Sequence, residues 1–147
     1  VDDRIRTLAA DMLETMYDSK GVGLAATQID VHERVVVMDV SEERNQPLVM
    51  VNPELLWKSE ERIKGEEGCL SVPGLRGVVP RHTRLRYQGF DQYGRTIDRS
   101  VSDFHARVVQ HEYDHLNGIT FQERANRFHL EQARRFRDKA NRKLKSA

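Results

Sequence analysis

The sequence predicts an α+β fold, with antiparallel strands wrapped around a central metal-binding helix, an N-terminal helix and a basic C-terminal helix. Three observations carry this. Helical periodicity is confined to the N-terminal stretch, a segment near residue 110 and the C-terminal stretch. The residues between read as short strands punctuated by Gly, Pro and Asn. The order helix, strands, helix, helix lacks the alternation that builds a parallel doubly wound sheet.

The first helix follows from Ile5, Leu8, Ala9, Met12, Leu13 and Met16, which recur at helical spacing. Asp2 and Asp3 suit its N-terminus, where acidic groups oppose the dipole. Gly21 and Gly23 end it. Residues 34–40 read as a buried strand, and Leu48–Asn52 as another bounded by Pro47 and Pro53. Glu60–Lys64 and Gly68–Val72 read as short strands flanking a turn, with Pro73-Gly74 turning the chain after them. Leu85–Asp91 and Arg95–Val101 enclose Gln92-Tyr93-Gly94, a hairpin signal. Phe104, Val108, Val109, His111, Tyr113 and Leu116 mark the second helix, which Asn117-Gly118 ends. Arg107, odd in this apolar run, is expected to face solvent. A last helix from about Asn126 carries the stripe Leu130, Ala133, Phe136, Ala140 and Leu144.

At 147 residues the chain is expected to form one domain, 1–147, with a single substantial core. No stretch approaches the ~20 apolar residues of a membrane span, and the acidic start is unlike a signal peptide. One cysteine permits no intrachain disulfide, which suits a reducing, cytoplasmic compartment. Charge is uneven. Residues 124–147 hold nine Lys/Arg and two Asp/Glu, a net +7, while residues 1–123 carry −6. A basic tail can meet an anionic partner such as nucleic acid, although on charge alone a solvated helix face is the better reading.

The strongest chemical signal is His111-Glu112-Tyr113-Asp114-His115, an H-E-x-x-H motif. Two imidazoles four residues apart share one helix face and can bind one metal ion. Glu112 projects about 100° away around the axis, where it can reach a metal-bound water as general base. The competing reading is a helix with two solvated histidines. A catalytic site of this kind needs a third protein ligand and an open position. In the common extension H-E-x-x-H-x-x-G-x-x-H, Gly118 matches, but Phe121 occupies the ligand position and cannot bind metal. Glu123, His129 and Glu131 are downstream candidates, and Cys69 is the conspicuous upstream one. A lone cysteine is commonly a small core hydrophobe. Cys69, however, sits in the polar, Gly-rich stretch Glu67-Gly68-Cys69-Leu70-Ser71. Its thiolate suits soft and borderline divalent metals. The third segment, Gly21-Val22-Gly23-Leu24-Ala25-Ala26-Thr27-Gln28, lacks the pattern of a phosphate loop.

Together these segments, G-x-G-L-A-A-x-Q, E-G-C-L-S and H-E-x-D-H, resemble the peptide deformylase family in order and spacing. The resemblance runs from about residue 5 to the C-terminus, and family members begin some twenty residues earlier. It implies removal of the formyl group from formyl-methionyl nascent polypeptides by metal-activated water. It implies Cys69, His111 and His115 as metal ligands and Glu112 as the proton carrier. The Gln28 amide and the Leu70 backbone N–H are then the oxyanion donors. Val22, Phe104 and Val108 line the methionine pocket, unless they are plain core. The peptide is expected to lie extended against Val22, Gly23 and Leu24 on one side and Gly65–Glu67 with Gly68 on the other. Arg76 is a candidate contact further along. The resemblance favours Fe²⁺, with Zn²⁺, Ni²⁺ or Co²⁺ able to occupy the site in preparations. It also implies a monomer that docks on the ribosome through the basic C-terminal helix. Two alternatives compete: a general metallopeptidase with a carboxylate or His as third ligand, and a structural metal module with an RNA-binding helix.

Overall fold

Val35-Val36-Val37-Met38 is apolar at every position because it lies between two helices. Val35 and Val37 pack with Ile5, Ala9, Met12 and Met16, whereas Val36 and Met38 pack with Ala106, Val108 and Val109. Side chains alternate along a strand, so a strand covered on both faces needs an unbroken apolar run. The structure, a computed structural model, describes residues 1–69 and 72–146. The side chains of 72–74, 133, 134, 136–138 and 140–146 lie outside that description.

The elements in chain order are α1 (Asp3–Asp18), β1 (Gly23–Ala25), a 3₁₀ turn (Ala26–Ile29), β2 (Val35–Met38), β3 (Leu48–Lys58), β4 (Arg62–Cys69), β5 (Val72–His82), β6 (Arg84–Phe90), β7 (Thr96–Ser102), α2 (Asp103–Leu116) and α3 (Phe121–Ser146). One sheet has the order β1-β2-β3-β6-β7, and β4 and β5 form a separate two-stranded sheet. Every pairing is antiparallel. The α+β expectation holds, with α2 seated between the two sheets' contributions to the core.

Helix ends follow their caps. The Asp2 carboxylate accepts from the Ile5 N–H (3.1 Å) and starts α1. At the end of α2, Ile119 N–H reaches Asp114 O and Gly118 N–H reaches His115 O, with Gly118 at φ 75°. This is the Schellman closure that Asn117-Gly118 foretold. At the end of α1 the same pattern of bonds puts Lys20, not Gly21, in the left-handed position (φ 57°).

Four expectations fail. β3 does not stop at Pro53 but continues to Lys58. The missing N–H is absorbed at a register shift between Val51 and Glu54, beside Asn52 at φ 50°. Residues 60–72 do not form two short strands around a turn. β4 runs unbroken through Gly65, where a Cβ would sit 2.9 Å from Arg107 Cζ, so that glycine serves close packing rather than a turn. Pro73-Gly74 lies within β5 rather than turning the chain. α3 starts at Phe121, five residues earlier than expected. Phe121 and Ala125 anchor it against Val79, and Leu130 is 53% exposed. The side chains of Ala133, Phe136, Ala140 and Leu144 lie outside the described residues.

Candidate metal centre and active site

The H-E-x-x-H residues fall on α2, as the periodicity requires. His111 Nε2 and His115 Nε2 lie 3.1 Å apart, and Cys69 Sγ lies 3.4 Å from His115 Nε2. The ligand atoms of Cys69, His111 and His115 all fall within 4.8 Å of one another. Metal bonds of about 2.0–2.3 Å in a tetrahedral site put ligand atoms roughly 3.3–3.8 Å apart. The observed spacing is close to that, so the one thiolate and two imidazoles fit a single divalent ion with a position left open. Glu123, His129 and Glu131 join no such cluster among the described residues. Phe121 instead stacks on the His111 ring, 6.0 Å between centroids and 22° between planes.

The orientation of His111 is fixed from behind. Its Nδ1 donates to Glu67 Oε1 at 2.8 Å, which leaves Nε2 directed at the cluster. Glu67 is buried and also accepts a two-pronged bond from Arg81 (2.9 Å each) and a bond from Arg107 Nη1 (2.6 Å). Arg81 continues to Asp114 at 2.6 Å, and Arg124 of α3 grips the same carboxylate at 3.0 and 2.9 Å. The site therefore rests on a buried chain of alternating charges joining β4, β5, α2 and α3.

This network corrects the reading of Arg107. It does not face solvent, because its guanidinium is held by Glu67, Val79 O and Ile63 O. Arg81, Asp114 and Arg124 carried no functional expectation. The one sequence signal was charge inside apolar or buried-looking runs, at Arg107 and at Asp114 within the helix motif.

Burial pushes the Glu67 carboxyl up, but the hydrogen bonds from Arg81 and His111 override it and hold the group down at about 2. Burial disfavours a charged His111, yet Cys69, Glu67 and Glu112 together push it up to about 10. The same concentration of negative charge favours a metal cation at the ring's other nitrogen. For Glu112 burial dominates. The nearby histidines only partly offset it, and the carboxyl is pushed up to about 7. Its Oε2 is buried and has no hydrogen-bond partner among the described residues. A Cβ on Gly23 would sit 2.8 Å from its Oε1, so glycine there lets β1 pass directly over the carboxylate.

Gln28 lies in the 3₁₀ turn beside the cluster. Its Oε1 accepts from Ala25 N–H (2.8 Å), which turns Nε2 toward Cys69 Sγ (3.0 Å). Leu70 lies outside the described residues. A cavity of about 690 Å³ opens onto this centre and is lined by Val22, Gly23, Gln28, Glu67, Gly68, Cys69, Arg76, Phe104, Val108, His111 and Glu112, together with Leu75 and Arg107. Most of the expected site residues thus meet in one place. Val108 is buried, while Val22 and Phe104 are partly exposed at the cavity. Arg76 pairs across from Gly68 and lies 3.5 Å from the Glu66 carboxylate. The cavity lies between β1, which ends its sheet, and β4, which has β5 on one side only.

The chain matches known proteins over most of its length. The sequence model described as Polypeptide deformylase covers residues 1–131. A peptide deformylase of Neisseria gonorrhoeae is 52% identical over 124 residues, covering 84% of this chain and 74% of that protein. One from Hamiltonella defensa is 51% identical over 121 residues, covering 82% and 70%. Among solved structures, the peptide deformylase of Legionella pneumophila superposes with a TM-score of 0.81 at 38% identity, covering 97% of this chain and 84% of that one. That of Thermotoga maritima gives 0.80 at 38% identity, covering 84% and 82%. The chain therefore belongs to the polypeptide deformylase family, hydrolases that remove N-terminal formyl groups from nascent peptides.

Proposed function

We propose that this chain deformylates formyl-methionyl peptides at a ferrous centre held by Cys69, His111 and His115. The convergence of these three ligand atoms, with Cys69, His111 and the buried Glu112 lining one cavity, is the observation that carries the reading. The donor set takes borderline divalent metals, so Zn²⁺, Ni²⁺ or Co²⁺ can also fill it. A bound ion supplies Lewis acidity that makes water nucleophilic near neutral pH.

Glu112 takes the proton from the attacking water and passes it to the departing amine. Its buried Oε2, with no hydrogen-bond partner among the described residues, suits a group that must both accept and return a proton. The Gln28 amide, oriented by its bond from Ala25, donates to the oxyanion, and the Leu70 backbone N–H is its proposed partner. Close passage of Gly23 over Glu112 keeps this corner narrow, which suits a formyl group with only hydrogen beyond its carbonyl carbon. The methionine side chain enters beside Val22, Phe104 and Val108. The peptide main chain adds as a strand between Val22–Leu24 and Gly65–Glu67, with Gly68 beside them and Arg76 further along. Such bonds are indifferent to side-chain identity, which suits substrates sharing only their first residue.

A single cysteine that serves as an oxidisable thiolate ligand suits a reducing compartment, so the enzyme is placed in the cytoplasm, as a monomer. Among the described residues no helix is long and apolar enough to cross a membrane. Cys69→Ala tests the ligand set. The variant is expected to lose its metal and its formate release together, and wild-type metal affinity in it would overturn the assignment.

A further inference from the structure

We propose that Arg44 is a positioning residue that, with Asp39, clamps the β1 edge on which the peptide beyond its first residue is aligned. The inference rests on the deformylase reading for its substrate but on separate residues for its geometry. β1 is three residues long and pairs with β2 on one side only. The chain entering it, Ser19–Val22, forms one wall of the cavity. A short edge strand at the rim of a cavity needs support from behind to hold its register.

One guanidinium supplies part of that support. Arg44 donates through Nη1 to Asp39 O (2.6 Å) and through Nη2 to Gly21 O. It thereby ties the end of β2 to the segment entering β1. The Asp39 N–H donates in turn to Val22 O (2.9 Å). Arg44 also lies over the Tyr17 ring, 5.2 Å from its centroid.

The loop presenting Arg44 is built around the Asp39 carboxylate, which is fully buried and distant in sequence from every metal-site residue. It accepts from Ser41 N–H (2.9 Å), Ser41 Oγ (2.5 Å), Gln46 N–H (3.1 Å) and Tyr17 Oη (2.5 Å). Arg44 itself is held at φ 58°, a left-handed conformation that a non-glycine residue keeps only when its surroundings enforce it. A loop merely joining β2 to β3 needs neither that strain nor a buried carboxylate with four donors. What the arrangement delivers is a guanidinium aimed at the carbonyls behind the peptide-facing strand. Small displacements of a substrate-aligning edge have large kinetic effects.

The test compares metal-loaded wild type, Arg44→Ala and Arg44→Lys on formyl-Met and on formyl-Met-Ala-Ser. Backbone amide exchange over residues 21–25 is measured on the same proteins. Losing one or two main-chain hydrogen bonds should cut the tripeptide's kcat/KM advantage by about tenfold in Arg44→Ala, chiefly through KM. Formyl-Met itself should lose clearly less than the tripeptide, exchange at 21–25 should quicken, and Arg44→Lys should recover part of the advantage. An active Arg44→Ala with unchanged length dependence, or with equal loss on both substrates, overturns the proposal. If Arg44→Ala does not fold, Tyr17→Phe, which removes one donor from Asp39, is read the same way. Failure of the deformylase reading looks different, because wild type then releases formate from neither substrate. In that event unchanged exchange at 21–25 in the variants still overturns the clamp.

Discussion

Glu67 and Glu112 are both buried carboxylates beside His111, yet their surroundings push them in opposite directions. Arg81, Arg107 and His111 hold Glu67 ionised, so it can only accept and orient. The Oε2 of Glu112 has no such donor among the described residues, and the group is pushed toward neutrality. Glu112→Gln should therefore keep its metal and fold while turnover falls by ~10²–10⁴-fold, the usual worth of a placed proton carrier. Near-normal kcat at full metal occupancy would remove that role. Glu67→Gln should weaken metal binding by ~10–100-fold, as loss of a ligand's supporting partner does. Competition against a calibrated chelator measures it, and unchanged affinity would show that His111 needs no such anchor. Asp39 offers a pH test away from the metal. Burial raises its pKa, but its hydrogen bonds outweigh that and set it below 3.8. Its contribution to stability is thus fully present above the ordinary carboxylate value and lost as pH falls through the depressed one. Asp39→Asn should be less stable at neutrality and should show a flatter acid limb in denaturant titrations below about pH 4.

At the scale of elements, the sequence announced what is written locally and missed what depends on distant neighbours. The α1 and α2 helices were legible because Asp2 and Asn117-Gly118 encode their ends and apolar spacing encodes their faces. β1 was not, since three residues carry no periodicity. β4 was broken in the reading because Gly65 looks like a turn residue until Arg107 is seen packed on it. Cys69, His111 and His115 were legible because ligand chemistry constrains residue type. Arg81 and Arg124 were not, because an arginine in a sequence gives no sign of the carboxylate it will meet. Two glycines separate these cases experimentally. Gly118→Ala should cost about 1 kcal/mol in stability through its positive φ alone, since no atom of the described residues lies within 4 Å of the added methyl. Thermal denaturation checks this, and activity at 25 °C should be untouched. Gly23→Ala should do the reverse, displacing Glu112 and cutting kcat more than stability.

Over the whole molecule, the described anchors of α3 lie in its first turns. Phe121, Arg124 and Ala125 bind it to the body, and Lys64 lies over the Phe128 ring. Exposed Arg127 starts the basic run that continues to Lys145. Truncation after residue 132 keeps every one of those anchors. The expectation that the basic helix docks on the ribosome predicts that this truncation leaves hydrolysis of short formyl peptides intact while weakening ribosome binding and its salt dependence. Equal affinity at low salt before and after truncation would leave α3 as a structural helix. The central claim is that Cys69, His111 and His115 hold one catalytic metal for deformylation. Formate release from formyl-Met-Ala-Ser and from its acetyl counterpart, measured with metal content on anaerobically purified protein, tests it most directly. The account predicts about one metal per chain, activity on the formyl peptide proportional to occupancy, and none on the acetyl peptide. Full activity in metal-stripped protein, or no formate from fully loaded protein, would contradict it.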